Sequence, residues 1–166
     1  METYPLESLL AVRHYREESA KRHVRSAEHA LHEAEQDAAR KEQELKQYRI
    51  WKQQEEDRRY EAIMNTAMTH EDLDGFKAGL AVLSAEEAQR EHAVLQAAEE
   101  VKSCRSELDA ARERAKKASR NTSKIQTHKD IWSEEAKKEA EHKEDLELEE
   151  FRPLSRKGAE AEGEDA

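Results

Sequence analysis

From Phe76 to Ala136 the sequence keeps one alternating spacing of four and three: Phe76, Leu80, Leu83, Glu87, Arg90, Val94, Ala97, Val101, Cys104, Leu108, Ala111, Ala115, Ala118, Thr122, Ile125, Lys129, Trp132, Ala136. Fourteen of these eighteen positions are apolar. In water such a seam, flanked by charge, is stable only beneath another helix running alongside it in a left-handed coiled coil. The same chain offers a partner, because Ala20, Val24, Ala27, Leu31, Ala34, Ala38, Lys41, Leu45 and Tyr48 follow the same alternation.

One candidate break separates the two runs, over residues 65–75. There Thr69 is followed three residues later by Asp72, a helix-start pattern in which the hydroxyl accepts an orphan amide proton. Gly75 with Glu71 and Asp72 fits a tight turn leading into a first turn whose acids complement the helix dipole. Pro5 stands where a helix can begin, and Pro153 predicts the end of the second helix, because proline has no amide proton to continue the ladder. The predicted fold is all-α, a long two-helix antiparallel coiled-coil hairpin over residues 1–152. Helix 1 spans about 5–64, the turn about 65–69 and helix 2 about 70–151, followed by an acidic disordered tail over 153–166. At roughly 1.5 Å per residue the arms would measure about 90 and 120 Å.

Composition excludes most other classes. With 41% charged and 36% hydrophobic residues and four glycines, the chain lacks the apolar content for a globular core, yet its apolar residues are too periodic for disorder. No segment approaches the roughly 20 apolar residues that span a bilayer, and no basic and apolar leader opens the chain, so membrane insertion is not expected and a cytoplasmic location is. Cys104 sits on the seam, where a small buried hydrophobe is the natural role.

Charge is unevenly placed within the total of −10. Residues 13–25 carry a local +3 and residues 112–129 a local +6, whereas residues 137–166 carry −5. Antiparallel pairing about a turn near residue 68 sets the two basic stretches side by side as a collar at the open end, either two solvated faces or a docking surface for an acidic partner. Nucleic acid is not the expected partner, because no aromatics interleave with the basic residues.

Catalytic and metal chemistry find no support. Only His29 and His32 share a helical face at ligand spacing, and no second ligand pair accompanies them. Carboxylates abound, but a two-helix rod offers no cleft to perturb their acidity, and no Gly-rich phosphate loop occurs. The chain is read as a non-enzyme with no cofactor and no metal. Among the few aromatics, Tyr48 and Phe76 fall on the seams and are expected in the core, while Trp51 lies off the extrapolated heptad and is expected partly outside, as a partner contact.

Two blocks carry a resemblance to a known family. The opening Tyr4-Pro5-Leu6-Glu7-Ser8-Leu9-Leu10 and the late His128-Lys129-Asp130-Ile131-Trp132-Ser133-Glu134-Glu135-Ala136-Lys137-Lys138-Glu139-Ala140 resemble the YscO family of type III secretion proteins, itself similar to the flagellar export protein FliJ. The resemblance implies a monomeric antiparallel coiled coil that serves as the central stalk of the secretion ATPase hexamer and contacts the cytoplasmic domain of the export gate. It also implies binding of translocator chaperones, at the cytoplasmic face of the secretion apparatus, with export of the chain itself left open. The basic collar, through Arg16, Lys21, Arg25, Arg112, Lys116 and Arg120, would enter the ATPase ring. The family's gate-binding patch falls by spacing on Leu45, Tyr48, Phe76, Leu80 and Leu83, with Lys41, Lys52 and Glu87 in its remaining places, and Trp51 stands beside them. Two other readings stay open: a chaperone escort without a stalk role, and a passive structural coiled coil.

Overall fold

The computed structural model describes residues 2–160, with side chains as far as residue 152. Two helices account for nearly all of it, α1 (Glu7–Met64) and α2 (His70–Glu160), and no strand occurs among the described residues. They form the antiparallel coiled-coil hairpin that the two seams require.

Local chemistry fixes the helix ends. At the start of α1 the amide of Glu7 donates to the Tyr4 carbonyl at 3.2 Å, and Leu10 to Leu6 at 2.9 Å, closing a turn around Pro5. At its end the Thr66 hydroxyl donates to the Ala62 carbonyl at 2.7 Å, occupying one of the acceptors that a helix terminus leaves unpaired. Thr69 and Asp72 form a reciprocal capping box: Asp72 N donates to Thr69 Oγ1 at 3.3 Å and Thr69 N to Asp72 Oδ2 at 3.2 Å. Because α2 begins at that box, Gly75 lies inside the helix and not in the turn proposed for it. Its surroundings are open, so the residue makes no packing demand and the helix absorbs its propensity cost of about 1 kcal/mol.

The other end of α2 also departs from expectation. The helix continues through Pro153 to Glu160, past the end predicted near Phe151. Proline has no amide proton to give the ladder, yet the helix runs on past it. The predicted disordered tail therefore does not begin at residue 153, and residues 161–166 lie outside the described residues.

The chain divides into two compact units, one of residues 1–19 and 116–166, the other of residues 20–115. In the second, Leu45, Tyr48, Leu83, Ala97, Cys104, Leu108 and Ala111 are buried, and every other seam position of that unit except Arg90 is half-buried. Alanines recur on both seams there (Ala20, Ala27, Ala34 and Ala38 against Ala97, Ala111 and Ala115), which lets the backbones approach closely. No described large side chain is fully buried, because two helices leave each seam residue flanked by solvent. Ion pairs line the flanks, with Arg105 3.4 Å from Glu35 and Arg112 3.5 Å from Glu28. Burial raises the pKa of the Cys104 thiol, with Glu100 adding to the effect, as suits a packing residue.

In the first unit the α1 seam continues back through Glu17 and Arg13 to the buried Leu10. Thr122 fills its buried seam position with a hydroxyl 3.0 Å from the Ala118 carbonyl and 3.3 Å from the Arg13 carbonyl, so its polar group is satisfied. Beyond Ala136, every side chain of residues 137–152 is exposed.

Candidate partner-binding surfaces

Within the second unit, the residues proposed for the gate-binding patch separate into two classes. Leu45, Tyr48 and Leu83 are buried, so their apolar surface is already spent on the partner helix, while Phe76 and Leu80 are half-buried. Trp51 is 46% exposed. Its ring lies 5.6 Å from that of Tyr48, and Tyr60 meets Phe76 edge-on at 5.2 Å. Ile50 and Val82 are exposed in the same unit.

Tyr48 is the anchor of this region. Its hydroxyl donates to the Leu83 carbonyl at 2.8 Å and lies 3.1 Å from Glu86 Oε2, and burial followed by that carboxylate raises its pKa, keeping it a donor. Arg90, the one exposed seam position, stacks its guanidinium 4.0 Å from the Tyr48 ring centroid.

Toward the turn the α1 seam changes character, continuing from Tyr48 through Lys52, Glu55 and Arg59, all half-buried. Lys52 reaches Glu87 at 2.5 Å and Glu56 at 3.6 Å, while Arg49 bridges Glu87 at 3.1 Å and Glu91 at 2.7 Å. These partners hold Glu87 below the usual carboxylate range, Lys52 first and Arg49 second. Gly79 faces this seam, where an added Cβ would stand 2.8 Å from the Arg59 guanidinium. Lys52 and Glu87, assigned to the patch by resemblance, are thus bound to each other across the two helices, and Lys41 pairs with Asp37 at 3.2 Å.

Arg58 and then Arg59 lower the Glu55 carboxyl to about 2 from its ordinary 4.5. A depressed carboxylate pKa contributes stability that is present above about 4.5 and is lost as pH falls toward 2. Glu55→Gln is therefore expected to lower the Tm slightly at neutral pH and to approach the wild type as pH falls to about 2, where the carboxylate takes up its proton. A gap in Tm that persists unchanged at pH 2 would show that charge is not its cause.

In the first unit the structure joins the two sequence blocks that carried the family resemblance. Tyr4 is buried, its hydroxyl 2.7 Å from His128 Nδ1, and its ring lies 5.7 Å from that of His128 and 5.5 Å from that of Trp132. Lys129 pairs with Glu7 at 2.8 Å. The N-terminal segment is thereby fastened to α2 ahead of the first turn of α1. Heptad periodicity does not report this contact, because Tyr4 precedes the helix.

All six proposed ATPase-docking residues are exposed: Arg16, Lys116 and Arg120 in the first unit, Lys21, Arg25 and Arg112 in the second. Arg112 is tied to Glu28, and Lys21 and Lys116 also have partners. No helix is long and apolar enough to cross a membrane, and no group of metal-ligating side chains occurs among the described residues.

Residues 6–153 match the family model described as Type III secretion protein YscO. Among solved structures, a proposed YscO homolog, CT670 from Chlamydia trachomatis, aligns with a TM-score of 0.76 and 23% sequence identity, covering 98% of this chain and 99% of that one. At that identity the likeness establishes the shared fold. No curated protein sequence matches the chain.

Proposed function

Because this chain belongs to the YscO family of type III secretion proteins, we propose that it acts without catalysis as a stalk and adaptor, coupling the secretion ATPase to the export gate at the cytoplasmic face of the apparatus. The observation that carries this reading is that all six basic candidates and Trp51 are exposed. Arg16, Lys116 and Arg120 in the first unit, and Lys21, Arg25 and Arg112 in the second, present cationic heads to solvent, suited to acidic loops of an ATPase. The exposed large aromatic Trp51 lies elsewhere in the second unit, against Tyr48, where it suits a gate or chaperone contact. The direct test is the rate of ATP hydrolysis by the cognate secretion ATPase as purified protein is added: the stalk reading requires stimulation.

Chaperone escort is the second reading, and it draws on the exposure of Trp51, which a gate contact would use equally. A ring left 46% exposed on a helix is an available anchor, already held in orientation by its neighbour. The gate-binding patch proposed from the family accordingly centres on Trp51 with the half-buried Phe76 and Leu80, while Leu45, Tyr48 and Leu83 support it from beneath. Trp51→Ala is expected to leave the helical circular dichroism intact and to weaken binding to the export-gate cytoplasmic domain or to a translocator chaperone by about tenfold or more. Unaltered affinity for both in a titration would remove Trp51 from the contact.

A further inference from the structure

We propose that two copies of this chain associate through the outer face of α2 in the first unit, antiparallel, with the basic segment of each copy against the acidic segment of the other. A second stripe with the same alternating spacing of three and four runs from Lys117 to Leu148, on the face of α2 turned away from the buried seam and exposed throughout. Its first half carries Lys117, Arg120 and Lys124. Its second half carries Glu134, Glu141 and Asp145, with Lys138 between them, and the exposed Ile131 stands in the middle.

Elsewhere on the hairpin, charges of opposite sign have found each other, as in Arg112 with Glu28 and Lys129 with Glu7. Among the described residues, Arg120, Lys124, Glu141 and Asp145 have no such partner. Arg120 and Asp145 are equidistant from the point between Trp132 and Ser133, and so are Lys124 and Glu141. A single two-fold axis at that point therefore sets both pairs in opposition, twice each, which is the self-complementarity an isologous contact needs. The same axis places Lys138 opposite the neutral Thr127 and brings the two copies of Ile131 within a turn of each other. A parallel alignment would instead set Arg120 on Arg120 and Asp145 on Asp145, so the charge pattern selects the antiparallel register.

Exposed pairs are individually weak and screened by salt, so the dimer is a concentrated, low-salt form and the expected monomer is the dilute one. The contact covers Arg120, so self-association competes with the docking role given to that residue. Its existence does not depend on the stalk reading.

Sedimentation equilibrium on the full chain tests it, over a range of concentrations at about 0.03 M and about 0.5 M NaCl. Wild type is expected to associate at low salt and to dissociate at high salt. Two variants, R120E/K124E and E141K/D145K, are each expected to lose association by on the order of tenfold or more, since each sets like charges in opposition. Mixed together they are expected to form a heterodimer, because each then offers the charge the other lacks. Circular dichroism of each variant checks that the helices remain. A wild type that stays monomeric at low salt, or variants that associate as well alone as together, would overturn the proposal.

Discussion

Replacing Leu108 with Asp is expected to destabilise the second unit by about 3–5 kcal/mol, the range for an uncompensated charge at a buried position. Leu108 is 5% exposed in the middle of the α2 seam. The basic side chains one turn to either side, Arg105 and Arg112, are engaged with Glu35 and Glu28, so rescuing the new carboxylate would break existing pairs. With roughly 2–4 °C per kcal/mol for a chain of this size, the Tm should drop by about 10 °C, with a matching loss of helical circular dichroism on mild heating. Leu95→Asp is the control. Leu95 is 65% exposed and off the seam, so the same chemical change there should cost within about 0.5 kcal/mol. Equal melting of the two variants would mean that Leu108 is not covered by α1.

That contrast also marks what the sequence makes legible. Leucine at 95 and leucine at 108 are chemically identical, and only phase against the alternating spacing separates them; the period of a coiled coil follows from helix geometry and can be read without coordinates. The same logic places Trp51 outside, since Lys52 and not Trp51 continues the phase of Tyr48. It fails where the seam turns polar. Arg13, Glu17, Lys52, Glu55 and Arg59 occupy half-buried seam positions that hydrophobicity cannot flag, because long charged side chains lay their stems along the interface and keep their heads in water. Gly75 and Pro153 fail for a different reason. Both are local signals, and continued helix on either side overrides them. The contact of Tyr4 with Trp132 is tertiary, from a residue ahead of the helix, and no period reports it. As for the candidate surfaces, the sequence identifies basic and aromatic residues but not their neighbours. Whether Arg112 reaches Glu28, or Lys52 reaches Glu87, depends on the register between helices and on rotamers.

The second large effect is expected from charge. Single substitutions among Arg16, Lys21, Arg25, Arg112, Lys116 and Arg120 should change ATPase binding by only about 0.2–1 kcal/mol each, as exposed pairs do. Reversal of all six to Glu accumulates to roughly a hundredfold or more in affinity, with repulsion added to lost attraction. None of the six is buried, so the helical signal should survive, which separates a docking defect from unfolding. The effect of salt discriminates further, because wild-type stimulation carried by these residues weakens as ionic strength rises.

The central claim, that this YscO-family chain couples to the secretion ATPase, meets its most direct test in the rate of ATP hydrolysis by that ATPase as the protein is added. Stimulation that saturates with wild type, declines with salt and is absent with the six-residue reversal is the predicted result. A rate that wild-type protein leaves unchanged, at low salt and at concentrations where it is folded, would contradict it.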